Sequence, residues 1–110
     1  MSIYHVVLLK FKDLVPPEEV KAACNRFFTL GTRCVHPLSG NPYVTIVAGG
    51  KDNSPEGRQD GMTHIFISQF DIDEDRKYYL GEDPAHLEFI DSIQDLVEKI
   101  QVVDFTPGVF

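Results

Sequence analysis

Apolar residues fill most of residues 3–11, and β-branched and aromatic types among them predict a strand. The period then changes. Pro16 and Pro17 precede Glu18 and Glu19, carboxylates suited to a first helical turn, and Val20, Cys24, Phe27 and Phe28 recur at helical spacing as far as Gly31, a stop signal. A loop containing His36-Pro37 and Asn41-Pro42 leads to a second strand over residues 43–48. Residues 49–61 are polar and punctuated by Gly and Pro, which predicts a connecting loop, and residues 63–70 predict a third strand. Residues 71–80, acidic and then aromatic, predict a short helix ending at Gly81. Asp83-Pro84 then opens another helix, with Asp as N-cap and Pro in the first turn. Its stripe is His86, Ile90, Ile93 and Val97, widened by Phe89, Leu96 and Ile100, before a fourth strand over residues 102–105.

The order βαββ(α)αβ predicts one α+β domain over residues 1–110: a ferredoxin-like, four-stranded antiparallel sheet with helices on one face. Such a sheet is expected to alternate apolar and polar residues, one face to the helices and one to water. Here Ile3, Val7, Leu9 and Phe11 share one face of the first strand while Tyr4, Val6 and Leu8 occupy the other. The third strand repeats this, with Ile65 and Ile67 opposite Phe66 and Phe70. A sheet apolar on both faces needs a cover, and a second copy supplies it most economically, as a homodimer closed through the sheet face.

Charge narrows the partners. The formal net charge of −7, with no run of Lys and Arg, argues against nucleic acid and anionic membrane. No stretch approaches the ~20 apolar residues of a membrane span. The N-terminus lacks a signal peptide's basic start and cleavage site, so a cytoplasmic location is expected. Cys24 and Cys34 lack any CxxC spacing and read as plain thiols.

Four segments, HVVLLKFKD at 5–13, THIFISQF at 63–70, DPAHLEF at 83–89 and VVDFTPG at 102–108, resemble in order those of the stress-responsive dimeric α/β-barrel (Dabb) family. The resemblance implies the ferredoxin-like dimeric barrel and, from the family's plant polyketide cyclase, cofactor-free closure of a linear polyketide by intramolecular aldol condensation. It also implies site residues: His86 as general base, His5 and His64 as further pocket histidines, and an assisting tyrosine just before His86. Leu80 stands at the family's spacing for that tyrosine, so Tyr79 and Tyr78 are both candidates, Tyr79 as the catalytic group and Tyr78 as substrate contact. Leu9 and Phe27 would wall the substrate, and Phe27 replaces a pocket tyrosine, which implies a different, small hydrophobic or polyketide-like substrate.

Physical chemistry supports part of this independently. His86 sits at about the third position of a helix on its apolar stripe, where the dipole and burial both favour the neutral imidazole that proton abstraction requires. The alternative is a core histidine bonded to a backbone carbonyl. His5 and His64 lie one on each of two strands, and if both face the helices three imidazoles converge on one cavity. Asp104 could orient one of them, or be a solvated strand-end acid. The histidine spacing shows no HxH or HExxH pair, which argues against a metal, and the resemblance implies that no organic cofactor is needed. A non-catalytic small-molecule-binding or stress-response protein and a cofactor-independent oxygenase remain alternative readings.

Overall fold

The computed structural model describes residues 2–110. Its elements run β1 (Ile3–Phe11), α1 (Pro17–Arg33), β2 (Thr45–Lys51), β3 (His64–Phe70), α2 (Asp73–Gly81), α3 (Pro84–Ile93) and β4 (Val97–Phe105). The strands form one antiparallel sheet in the order β2-β3-β1-β4. The predicted ferredoxin-like α+β class is therefore what forms. Among the described residues no helix is long and apolar enough to cross a membrane.

The helices cover one face. On α1, Ala23, Phe27 and Leu30 recur at four- and three-residue spacing and are all buried. They meet Leu9, Phe11, Phe66 and Phe70 from the two central strands and Phe89 and Ile93 from α3. On the opposite face no helix covers Val6, Ile67 and Val103, which stand side by side in the pairing register.

Three boundaries differ from expectation. First, α1 runs through Gly31 to Arg33, because Gly31 serves close packing: a Cβ there would stand 3.2 Å from Ile46 Cγ1. Second, the expected strand over residues 43–48 lies at Thr45–Lys51, and Gly49 and Gly50, placed by their composition in the connecting loop, are inside it. Gly49 is required by close approach, since a Cβ would run into Phe66 Cδ1 and stand 3.0 Å from the Ile65 carbonyl oxygen. Gly49→Ala is expected to destabilise the fold by ~1–3 kcal/mol, an overpacking cost read as a lower urea midpoint at unchanged slope.

Third, α3 ends at Ile93 and β4 begins at Val97, so Leu96, Val97 and Ile100 are not helical. The chain turns at Asp95, where Leu96 N–H donates to the Ile93 carbonyl and the Leu96 carbonyl accepts from Lys12 N–H. Val97 then pairs with Phe11 and Ile100 with Leu9. A strand that directly follows a helix had continued the helical spacing by coincidence. Being an edge, β4 leaves Ile100 and Val102 half-exposed on its helix side and Val103 and Phe105 half-exposed on the other.

Candidate active site

Among the cavities on the helix-covered side, two lie at opposite ends of the sheet. The smaller, about 290 Å³, is lined by His5, Leu9, Phe27, Tyr79, His86 and Asp104 among other, mostly apolar, residues. It lies between β1, the inner edge of β4 and the facing sides of α2 and α3.

His86 is placed by a junction between helices. The last carbonyls of α2 have no partners within their helix. Tyr78 O accepts from the N–H groups of Glu82 and Asp83, while Tyr79 O accepts from His86 Nδ1 at 2.8 Å. Asp83 fixes the other side of the junction as N-cap of α3, accepting from Ala85 N–H at 2.9 Å and from Tyr43 Oη at 2.5 Å. Because a carbonyl only accepts, His86 carries its proton on Nδ1 and keeps the Nε2 lone pair free. The ring is buried and stacks on Tyr79, with centroids 3.7 Å apart and planes 23° from parallel. Burial pushes its pKa down, with His5 adding in the same direction, against the Tyr79 carbonyl and Asp83. Burial also pushes the Tyr79 phenol up, so that its hydroxyl stays protonated.

His5 is placed by strand register. It lies directly opposite Asp104, and His5 Nδ1 is 2.8 Å from Asp104 Oδ1. The second oxygen, Oδ2, accepts from Arg76 Nη1 at 3.1 Å, and Arg76 also bonds Asp73 through Nη2 at 2.7 Å. Asp104 is thus an orienting group with both oxygens engaged, not a solvated strand-end acid. His5 and His86 both neighbour Tyr79, whose ring centroid is 6.1 Å from that of His5, edge-on, and 3.7 Å from that of His86.

Two expectations fail here. His64 faces the helices but does not converge with the other two histidines, because it pairs with Leu9, four residues along β1 from His5. It lines the second cavity instead. Tyr78 also lies outside the smaller cavity, its ring 5.7 Å from Tyr43 on the outer side of α2, whereas Tyr79 is buried inside. One of two adjacent helical residues must turn away, and the inner one is Tyr79. Arg76 was not anticipated, since its link to Asp104 depends on where α2 docks. Among the described residues no three His, Cys, Asp or Glu side chains cluster as metal ligands. Cys34 is a buried free thiol whose pKa burial and Asp83 push up to about 12, which makes it unreactive.

The sequence model of the stress-responsive A/B barrel domain matches residues 3–107, nearly the whole chain. The chain belongs to that family. Olivetolic acid cyclase of Cannabis sativa is 32% identical over 107 residues, which is 97% of this chain and 98% of the cyclase. The A/B barrel protein HS1 of Arabidopsis thaliana is 32% identical over 105 residues, covering 96% of this chain and 89% of HS1. A crystal structure of an Arabidopsis thaliana protein superposes with a TM-score of 0.80 at 31% identity, covering 98% of this chain and 97% of that one.

In this A/B barrel the histidines also link stability to pH. Burial lowers the pKa of His86, and burial with the Lys51 charge lowers that of His64, both from 6.5. Well above 6.5 both rings are neutral whether the chain is folded or unfolded. As pH falls through that value the unfolded chain takes up protons first, so stability is lost until the folded rings protonate as well. Denaturant midpoints are expected to fall on acidification from 6.5, with a shallower slope in His86→Asn. A midpoint that rises over that range would contradict the assignment.

Proposed function

We propose that this A/B barrel is a cofactor-independent lyase that closes a ring in a linear, polyketide-like β-dicarbonyl compound. The observation that carries this reading is the pair of imidazoles in one apolar cavity with different partners: His86 bonded to a carbonyl and His5 bonded to a carboxylate. The carbonyl leaves His86 Nε2 free to act as a base, and the carboxylate fixes the orientation of the His5 ring in the same cavity. His86 Nε2 removes a proton from the carbon between two carbonyls. The enolate carbon attacks a second carbonyl of the same molecule, forming the new carbon–carbon bond. The Tyr79 hydroxyl donates a hydrogen bond to the oxygen that gains charge, that oxygen takes up the proton His86 removed, and His5, held by Asp104 through Nδ1, flanks it. Leu9, Phe27 and Phe89 supply an apolar wall for the substrate's tail. No metal or organic cofactor enters these steps, and the relationship to olivetolic acid cyclase supports the same reaction class.

The test is incubation with linear tri- and tetraketide thioesters under air and under nitrogen, with products resolved by mass spectrometry. Ring-closed product formed equally in both atmospheres supports the proposal. Product only under air would move the oxygenase reading ahead. Saturable binding without turnover would leave a small-molecule-binding protein.

We also propose that the working unit is a homodimer closed through the uncovered sheet face. Val103 and Phe105 are half-exposed there, beside the central row Val6–Ile67, and Tyr4 stacks on Phe105 at 5.2 Å to extend the flat apolar surface.

A further inference from the structure

The second cavity is the larger of the two, about 570 Å³, within the size range of small-molecule sites. It lies at the end of the sheet away from His5 and His86, where the first turns of α1 meet the ends of β1, β2 and β3. Phe11, Val15 and Val20 make its apolar wall, and its charged lining is Lys12, Lys21 and Lys51 against the single acid Asp13.

Those three lysines stand apart from the rest. The chain has six, and Lys10, Lys77 and Lys99 are each ion-paired, with Glu98, Asp73 and Asp60. Lys12, Lys21 and Lys51 make no ion pair among the described residues, although the chain carries 17 acidic residues and a net charge of −7. Glu98, whose carboxylate feels Lys12, is taken by Lys10 at 2.6 Å. His64 adds a half-buried imidazole, with Nδ1 2.9 Å from Thr63 Oγ1 and its ring edge-on to Phe11 at 5.0 Å. Unpaired cations around an apolar hollow, in an otherwise acidic molecule, match a ligand with one negative end and a hydrocarbon body.

We propose that this cavity binds an amphipathic organic carboxylate, its chain laid against Phe11, Val15 and Val20 and its carboxylate held among Lys12, Lys21 and Lys51. Burial and the neighbouring Lys51 push the His64 pKa down, and a bound carboxylate would act against both. As an imidazolium His64 would donate to that carboxylate. The site is independent of the ring-closing chemistry at the other end.

The test is titration of the ¹⁵N-labelled protein with octanoate, 1-octanol and inorganic phosphate, followed by amide shifts. Octanoate is expected to shift Lys21, Cys24, Lys51 and His64 saturably, with 1-octanol and phosphate each at least about tenfold weaker, since each lacks one half of the recognition. Replacing Lys12, Lys21 and Lys51 together by Gln is expected to weaken octanoate about tenfold, the sum of three screened surface charges. All three side chains are exposed, so the variant keeps its fold, and an unchanged spectrum at Phe89 and Ile90 verifies it. Equal affinity for octanoate and 1-octanol, equal affinity for octanoate and phosphate, undiminished binding by the triple variant, or octanoate shifts confined to His5, His86 and Phe89 would each overturn the proposal.

Discussion

Replacing His86 with asparagine is expected to cut ring-closing turnover by roughly 10²–10⁴-fold, the range general-base catalysis supplies. Asparagine is the informative choice because its amide nitrogen takes the place of Nδ1. The bond to the Tyr79 carbonyl can persist while the Nε2 lone pair is lost. Alanine would remove both. An orphaned buried carbonyl costs about 1–3 kcal/mol, and lost activity in His86→Ala would then be open to a folding explanation. The expected pattern is therefore His86→Asn inactive with a near wild-type melting temperature, and His86→Ala inactive and less stable. Turnover by His86→Asn within a few-fold of wild type would remove His86 from the chemistry and leave it a packing residue at the α2–α3 junction.

The second large effect concerns assembly. Wild-type protein at micromolar concentration is expected to sediment with about twice the chain mass of 12.4 kDa. Ile67→Asp is expected to dissociate it. Ile67 lies in the middle row of the uncovered face, flanked by Val6, and half-exposed in the single chain, so the monomer tolerates the charge. Burying an unpaired carboxylate between two sheets costs ~3–5 kcal/mol, roughly 10²–10⁴-fold in dissociation constant. A folded, monomeric wild type would contradict the reading of the two-faced strands.

The features legible in the sequence are those set by local chemistry. Asp83-Pro84 caps and starts α3 as its composition demands, and the alternation in β1 correctly puts His5, Leu9 and Phe11 on the helix side. His86 faces inward because third position and apolar stripe together leave it no other direction. What failed needed register or docking. The separation of His64 from His5 follows from the pairing of β1 with β3, which face parity alone does not give. The Asp104–His5 pair needs the same information for β4, and Arg76 needs the position of α2 as well. Gly49 reads as a loop glycine in the sequence because its requirement comes from Phe66, on another strand. Lys12, Lys21 and Lys51 form no cluster in the sequence and meet only where α1, β1 and β2 come together.

The central claim is that His86 offers a neutral imidazole with its lone pair on Nε2. Long-range ¹H–¹⁵N spectra of ¹⁵N-histidine-labelled protein, followed through a pH titration, test it directly. The expected result is a His86 ring that at pH 6.5 is neutral, protonated on Nδ1 and bare on Nε2, and that titrates only below that value. An imidazolium at pH 6.5, or a neutral ring with its proton on Nε2, would contradict the account.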